Sequence, residues 1–190
     1  PQKLCLEMID SPDEVRRVTA EHIKLYKEIF IRYDRIVTRY QKGNTNWLGI
    51  YSDIPWYFIS NDFMVMVSGD FFEEFIAEPL RDVASFHKRN LFHLDGENAV
   101  MHLDRILQMD EICGVQVQAT PSVQSAGFWL PYLKKIQRAG KRAWIEAKNE
   151  DEVMLLARNL DPEGLFIRTW AETMEQAVST ENKLKQYYGR

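Results

Sequence analysis

At 190 residues, 45% of them hydrophobic and 27% charged, the chain is long enough for one domain with a sizeable core and ordinary for a soluble globular protein. A net charge of −4 supplies no basic field for a phosphate backbone, which argues against nucleic acid and favours small molecules or proteins as partners. No apolar run approaches the ~20 residues of a membrane span and no signal peptide is visible, while Cys5 and Cys113 form neither metal-type spacing nor a disulfide framework, which suits a reducing cytoplasm.

The chain opens on Pro1, without Met, and enters an amphipathic helix within ten residues, the pattern of a piece of a longer protein or of a processed terminus. Ser11-Pro12-Asp13-Glu14 combines a Ser cap, Pro in the first helical position and Glu three residues after the cap, and predicts a helix start. Val15, Val18, His22, Tyr26, Ile29, Tyr33, Ile36 and Tyr40 then recur at three- and four-residue intervals, a stripe expected to face the core, and Gly43-Asn44 ends the run. Trp47 to Tyr51 reads as a short strand. Ser52 to Ser68 reads as an irregular stretch whose rings, among them Trp56, Tyr57, Phe58 and Phe63, fold over either the core or a ligand at the strand ends. Ser68 to Ala77 predicts one helix, and Pro79 opens a second over Leu80 to Arg89, because Pro fits a first turn and biases Glu78 away from helix.

From Leu91 the pattern is regular. Leu91 to Asp95 predicts a strand closed by Gly96, Glu97 to Met109 a helix, and Gly114 to Gln118 a second strand. Gly127 to Ala139 predicts a helix stopped by Gly140, followed by a strand over Ala143 to Ala147. Asn149 with Glu152 at the box position starts a helix to Leu160, Leu165 to Arg168 is the last strand, and Thr169 with Glu172 caps the final helix. Strands alternating with helices imply a parallel sheet with right-handed crossovers. The five strands begin near residues 47, 91, 114, 143 and 164, three short of a closed eight-stranded barrel. An open doubly wound sheet also accommodates five, but no G-x-G-x-x-G turn occurs. The expected fold is therefore α/β, an incomplete (β/α)8 TIM barrel of about five βα units, forming a single domain over residues 1–190 with three strands upstream of Pro1. Its open edges would invite a second copy, as a homodimer, or the missing segment.

Side chains alternate along a strand, so His93 and Asp95 share one face, as Gln116 and Gln118 do, with Glu146 and Arg168 near the ends of the two strands that follow. In a barrel these six meet at the carboxyl-end mouth, the usual place for catalytic groups. A histidine at a strand end is more often structural than functional, and Glu146 with Arg168 could be a structural ion pair. The polar character of the neighbouring strand ends favours the functional reading, with His93, Asp95 and Glu146 as catalytic candidates. Asp62, Gln116, Gln118, Arg168 and Trp56 are the candidate contacts for a small-molecule substrate. His93 and Asp95 could both reach one ion, but Cys113 precedes its strand, so a metal is not indicated. Nucleophilic triads, P-loops and HExxH are absent.

The run His93-Leu94-Asp95-Gly96, then His102-Leu103-Asp104, Gly114-Val115-Gln116 and Gly140-Lys141, resembles the uroporphyrinogen decarboxylase superfamily in its branch of decarboxylase-like proteins. Asp62 and the segment Val67 to Pro79 resemble the same family's pattern, an Asp before a Ser-Pro-x-x-Phe-x-x-Phe helix start and a Pro after it, with Gly69 here in place of the usual Pro. The resemblance covers roughly Asn61 to the C-terminus. It implies a (β/α)8 barrel and one of two activities: decarboxylation of a tetrapyrrole, or methyl transfer between a corrinoid and a thiol, with a corrinoid protein as partner. The decarboxylases' N-terminal Arg-rich motif has no counterpart here. The zinc-dependent methyltransferases carry His-x-Cys at a strand end and a further Cys on the last strand; His93 matches the His, Asp95 stands in place of the first Cys, and the last strand offers Arg168. Zinc or a corrinoid is accordingly the cofactor the resemblance suggests. Methyl transfer fits the His-x-Asp position somewhat better than decarboxylation. The competing expectations are a binding module that holds a flat ligand on the Trp56 to Phe63 rings, and a stable fragment without activity of its own.

Overall fold

The computed structural model describes residues 1–120, 123 and 125–189. Helices α1 (Gln2–Asp10) and α2 (Pro12–Val37) come first, followed by a two-residue antiparallel hairpin, β1 (Asn44–Thr45) and β2 (Tyr51–Ser52). Strand β3 (Trp56–Ser60) leads through a 3-10 turn, Asp62–Met66, into a continuous helical run made of α3 (Gly69–Phe72), a π-helical turn over Glu73–Ala77, and α4 (Glu78–Phe86). Strand β4 (Arg89–Asp95), a 3-10 turn over Glu97–His102 and α5 (Leu103–Leu107) follow. The rest alternates strictly: β5 (Gly114–Gln118), α6 (Ala126–Arg138), β6 (Arg142–Ala147), α7 (Glu150–Asn159), β7 (Leu165–Thr169) and α8 (Met174–Tyr188). Strands β3 to β7 form one parallel sheet in chain order, flanked by helices, so the mixed α/β class read from the alternation is the class observed. No helix among the described residues is long and apolar enough to cross a membrane.

The chain packs as two compact units, Pro1–Phe92 with Met101–Cys113, and His93–Val100 with Gly114–Arg190. The first is built around Leu48, Met64, Phe72, Phe92, Leu103, Ile106, Met109 and Ile112, all essentially without solvent contact. Asn90 ties its backbone together: Nδ2 donates to the carbonyls of Ala84 at 3.1 Å and Glu111 at 2.9 Å, and Oδ1 accepts from Cys113 N at 3.1 Å. In the second unit Trp129, Leu133 and Ile136 of α6 and Val115, Val117, Ala143 and Ile145 of β5 and β6 are buried. Glu152 serves three donors there. Its N–H goes to the Asn149 cap, while its carboxylate accepts from Lys148 N at 2.9 Å and Ala126 N at 3.1 Å, anchoring the starts of α7 and α6 together.

Several local expectations are corrected. The strand expected over Trp47 to Tyr51 does not form, because Gly49 turns the chain with φ +76°. The first sheet strand is instead Trp56–Ser60, inside the stretch expected to be irregular. A separate helix, α1, precedes Ser11, whose side chain makes no capping bond. Pro79 does not open a new helix: the π turn just before it widens the backbone where the proline ring would otherwise meet the preceding turn. The final helix is capped one turn later than expected. Thr173 Oγ1 accepts from Gln176 N at 3.3 Å and Gln176 Oε1 accepts from Glu172 N at 2.9 Å, while Thr169 remains in β7. The stripe along α2 is not core either. None of the helix's residues is buried, and Tyr33 is 67% exposed.

Candidate functional site at the strand ends of the second unit

Alternation on β5 sends Val115 and Val117 to the helix side of the sheet, leaving Gln116 and Gln118 for the other face. Gln116 pairs in register with Trp144, which pairs with Phe166; one step beyond the Val117–Ile145 pair, Gln118 comes level with Glu146, which pairs with Arg168. In-register neighbours of a parallel sheet point the same way, so two polar-bearing rows cross β5, β6 and β7 near their carboxyl ends.

His93 and Asp95 join these rows. His93 Nδ1 is hydrogen-bonded to Gln116 Oε1, Gln116 Nε2 donates to Gln118 Oε1 at 3.2 Å, and Gln118 Nε2 donates to the Ala119 carbonyl at 3.2 Å. The Asp95 carboxylate lies 4.0 Å from His93 Nε2. Glu146 and Arg168 approach to 3.3 Å with their side chains 40% and 30% exposed, and the Arg168 guanidinium lies 4.5 Å above the Trp170 ring. Immediately after β4 the backbone turns at Gly96, where φ is +80° and a Cβ would lie 2.7 Å from Thr120 Cγ2. That close approach lets Gly96 N donate to the Gln118 carbonyl and Thr120 Oγ1 donate to Glu97 at 2.7 Å, so the ends of β4 and β5 are bound to one another.

The structure thus brings together six of the residues singled out in the sequence: His93, Asp95, Gln116, Gln118, Glu146 and Arg168. Trp56 and Asp62 belong to the first unit. Trp56 is 3% exposed, with no hydrogen-bond partner for Nε1, and Asp62 accepts a hydrogen bond from the Ser60 hydroxyl. Sequence reasoning missed Thr120 and Glu97, which brace the site, and Trp144, whose buried Nε1 is also without a partner. Trp144 was legible, since it shares strand parity with Glu146. The Thr120 contact was not, because it depends on how closely Gly96 allows two loops to approach.

The other two histidines of this part of the chain are held differently. His102, fully buried, stacks on Phe72 at 4.6 Å and sets Nε2 against the carbonyls of Met64 and Val67. His87 lies 2.6 Å from the Tyr26 hydroxyl among Phe30, Tyr57 and Phe86, and burial pushes its pKa down to about 4.

Zinc does not fit this donor set. His93 and Asp95 offer two ligands, and among the described residues no group of three or more His, Cys, Asp or Glu could hold a metal ion. An imidazole backed by a carboxylate and a buried amide can instead accept or donate a proton, and a guanidinium near an exposed indole can hold an anionic or flat group. No family model, curated protein or solved structure matches the chain.

Proposed function

We propose that the chain is the C-terminal part of a (β/α)8 TIM barrel of the uroporphyrinogen decarboxylase superfamily. In this reading it is an enzyme that acts on a small methylated or tetrapyrrole substrate at the carboxyl-end mouth, most favourably by corrinoid-linked methyl transfer. The observation that carries the reading is the hydrogen-bonded line from His93 through Gln116 to Gln118, with Asp95 beside the imidazole and the Glu146–Arg168 pair at the adjacent strand ends. No step passes through zinc. The corrinoid enters as the methyl-bearing group carried by a partner protein, and it supplies or receives the methyl.

The chain's own residues then handle the proton and the substrate. A group that takes up a methyl on oxygen, nitrogen or sulfur must release its proton. His93 receives that proton, Asp95 stabilises the imidazolium, and Arg168 with Trp170 orients the substrate. One observation favours decarboxylation as the second reading: the Arg168 guanidinium suits a substrate carboxylate, and His93 would then deliver a proton to the carbon left behind.

Turnover of a methylated corrinoid with a methyl acceptor by the intact protein tests both. His93→Ala, with the fold retained, is expected to lower turnover at least about tenfold. Unchanged turnover removes His93 from the mechanism. Corrinoid binding insensitive to His93 and Asp95 but lost with Trp56→Ala would replace the enzyme by a binding module.

A further inference from the structure

We propose that Gln116 and Gln118 are positioning residues that fix His93 in a single tautomer, with the proton on Nδ1 and the lone pair on Nε2. The direction is set by a backbone atom. A carbonyl oxygen only accepts, so the Ala119 carbonyl requires the nitrogen end of the Gln118 amide at 3.2 Å. That leaves Gln118 Oε1 facing Gln116, which must answer with its own nitrogen, again at 3.2 Å. The Gln116 amide is thereby oriented with Oε1 toward His93 Nδ1, and an acceptor there requires Nδ1 to carry the proton. Reversing the imidazole would set two acceptors against each other at one of these three junctions. Gln116 has no solvent contact, so no water competes for its amide.

The consequence is chemical. Nε2, 4.0 Å from the Asp95 carboxylate, becomes the proton-accepting nitrogen, and the positive charge that follows proton uptake forms beside that carboxylate. The substrate group that meets His93 is therefore a hydrogen-bond donor, an O–H, N–H or S–H, rather than an acceptor. This rests on the proposed role of His93 but is read spectroscopically, so it can fail while turnover survives, and the reverse.

The test is the two-bond 1H–15N spectrum of the intact protein labelled with 15N-histidine, recorded at about pH 8.5, two units above the ordinary imidazole value. The His93 signals are identified by their loss in His93→Ala. The expected wild-type pattern is the neutral Nδ1–H tautomer, replaced in Gln116→Leu by a tautomer mixture. A wild-type Nε2–H tautomer, a doubly protonated ring, or an unchanged pattern in Gln116→Leu overturns the proposal. Should Gln116→Leu fail to fold, two variants at the partly exposed position 118 decide it. Gln118→Glu can only accept and keeps the Nδ1–H form, whereas Gln118→Lys can only donate, turns the Gln116 amide over and selects Nε2–H; the same tautomer in both variants overturns it.

Discussion

The two units treat their buried polar groups in opposite ways. In the first, Asn90, His87 and His102 end on backbone carbonyls, a phenol or the face of a ring, and each closes its interactions within the interior. In the second, His93 and Gln116 pass their hydrogen bonds from side chain to side chain toward the ends of the strands, where Asp95, Glu146 and Arg168 are half exposed. Three histidines within sixteen positions of sequence, His87, His93 and His102, are chemically alike and structurally unlike. What separates them is whether the groups they touch lead inward or outward.

If this contrast is right, substitutions in the first unit cost stability and those in the second cost function. The largest effect is expected at Asn90. Asn90→Ala leaves the Glu111 carbonyl and the Cys113 N–H without their partner, and should lower the unfolding free energy by about 3 kcal/mol, read as a lower urea midpoint at constant slope. Full turnover per folded molecule should remain; its loss would erase the distinction between the units.

His87 gives the next effect and a sign. Its pKa is about 4 in the folded chain against about 6.5 unfolded, so between those values the unfolded state binds the extra proton. Stability conferred by the neutral ring is present above about pH 6.5 and is lost as the pH falls toward 4, by up to about 3 kcal/mol. Urea midpoints measured across that range should drop in the wild type and flatten in His87→Leu. A midpoint that rises on acidification would contradict a ring buried uncharged.

At His93 the balance should reverse. The tenfold loss of turnover in His93→Ala corresponds to about 1.4 kcal/mol of barrier, and the urea midpoint should change little by comparison. The smallest effect on folding is expected at the rim. Glu146→Gln removes one half of an exposed pair, should cost under about 1 kcal/mol of stability, and should appear chiefly as a raised KM. A large fall in stability with unchanged kinetics would make the pair structural.

Much of the second unit was legible in the sequence because each strand there is short, bounded by Gly, Asn or Pro, and alternates cleanly. Val115 and Val117 against Gln116 and Gln118 is a two-residue period that no helix would bury well. The first unit hid more. Trp56-Tyr57-Phe58-Ile59-Ser60 has no alternation to read, and its rings resemble a covering loop until the sheet is seen. Thr169-Trp170-Ala171-Glu172 and Thr173-Met174-Glu175-Gln176 both satisfy the capping pattern, and only the length of β7 chooses between them. The α2 stripe misled for another reason. Periodicity reports that a face is apolar, not that the described chain covers it, and Ile29, Tyr33 and Ile36 stay exposed. The direction of the Gln116–Gln118 amides was beyond any pattern, since it is decided by one carbonyl oxygen.

The π turn before Pro79 restricts how this chain can change its length. It lets three successive residues, Phe75, Ile76 and Ala77, lie inward together, and passes the chain on to Leu80 and Ala84 in the same core. Deleting one residue there would tighten the turn and swing everything downstream by about 100°, carrying Leu80 and Ala84 toward water. Gains or losses in this helix are therefore tolerable only in whole turns, a rule that should be visible in the spacing between the phenylalanines and the proline in any descendant of this sequence.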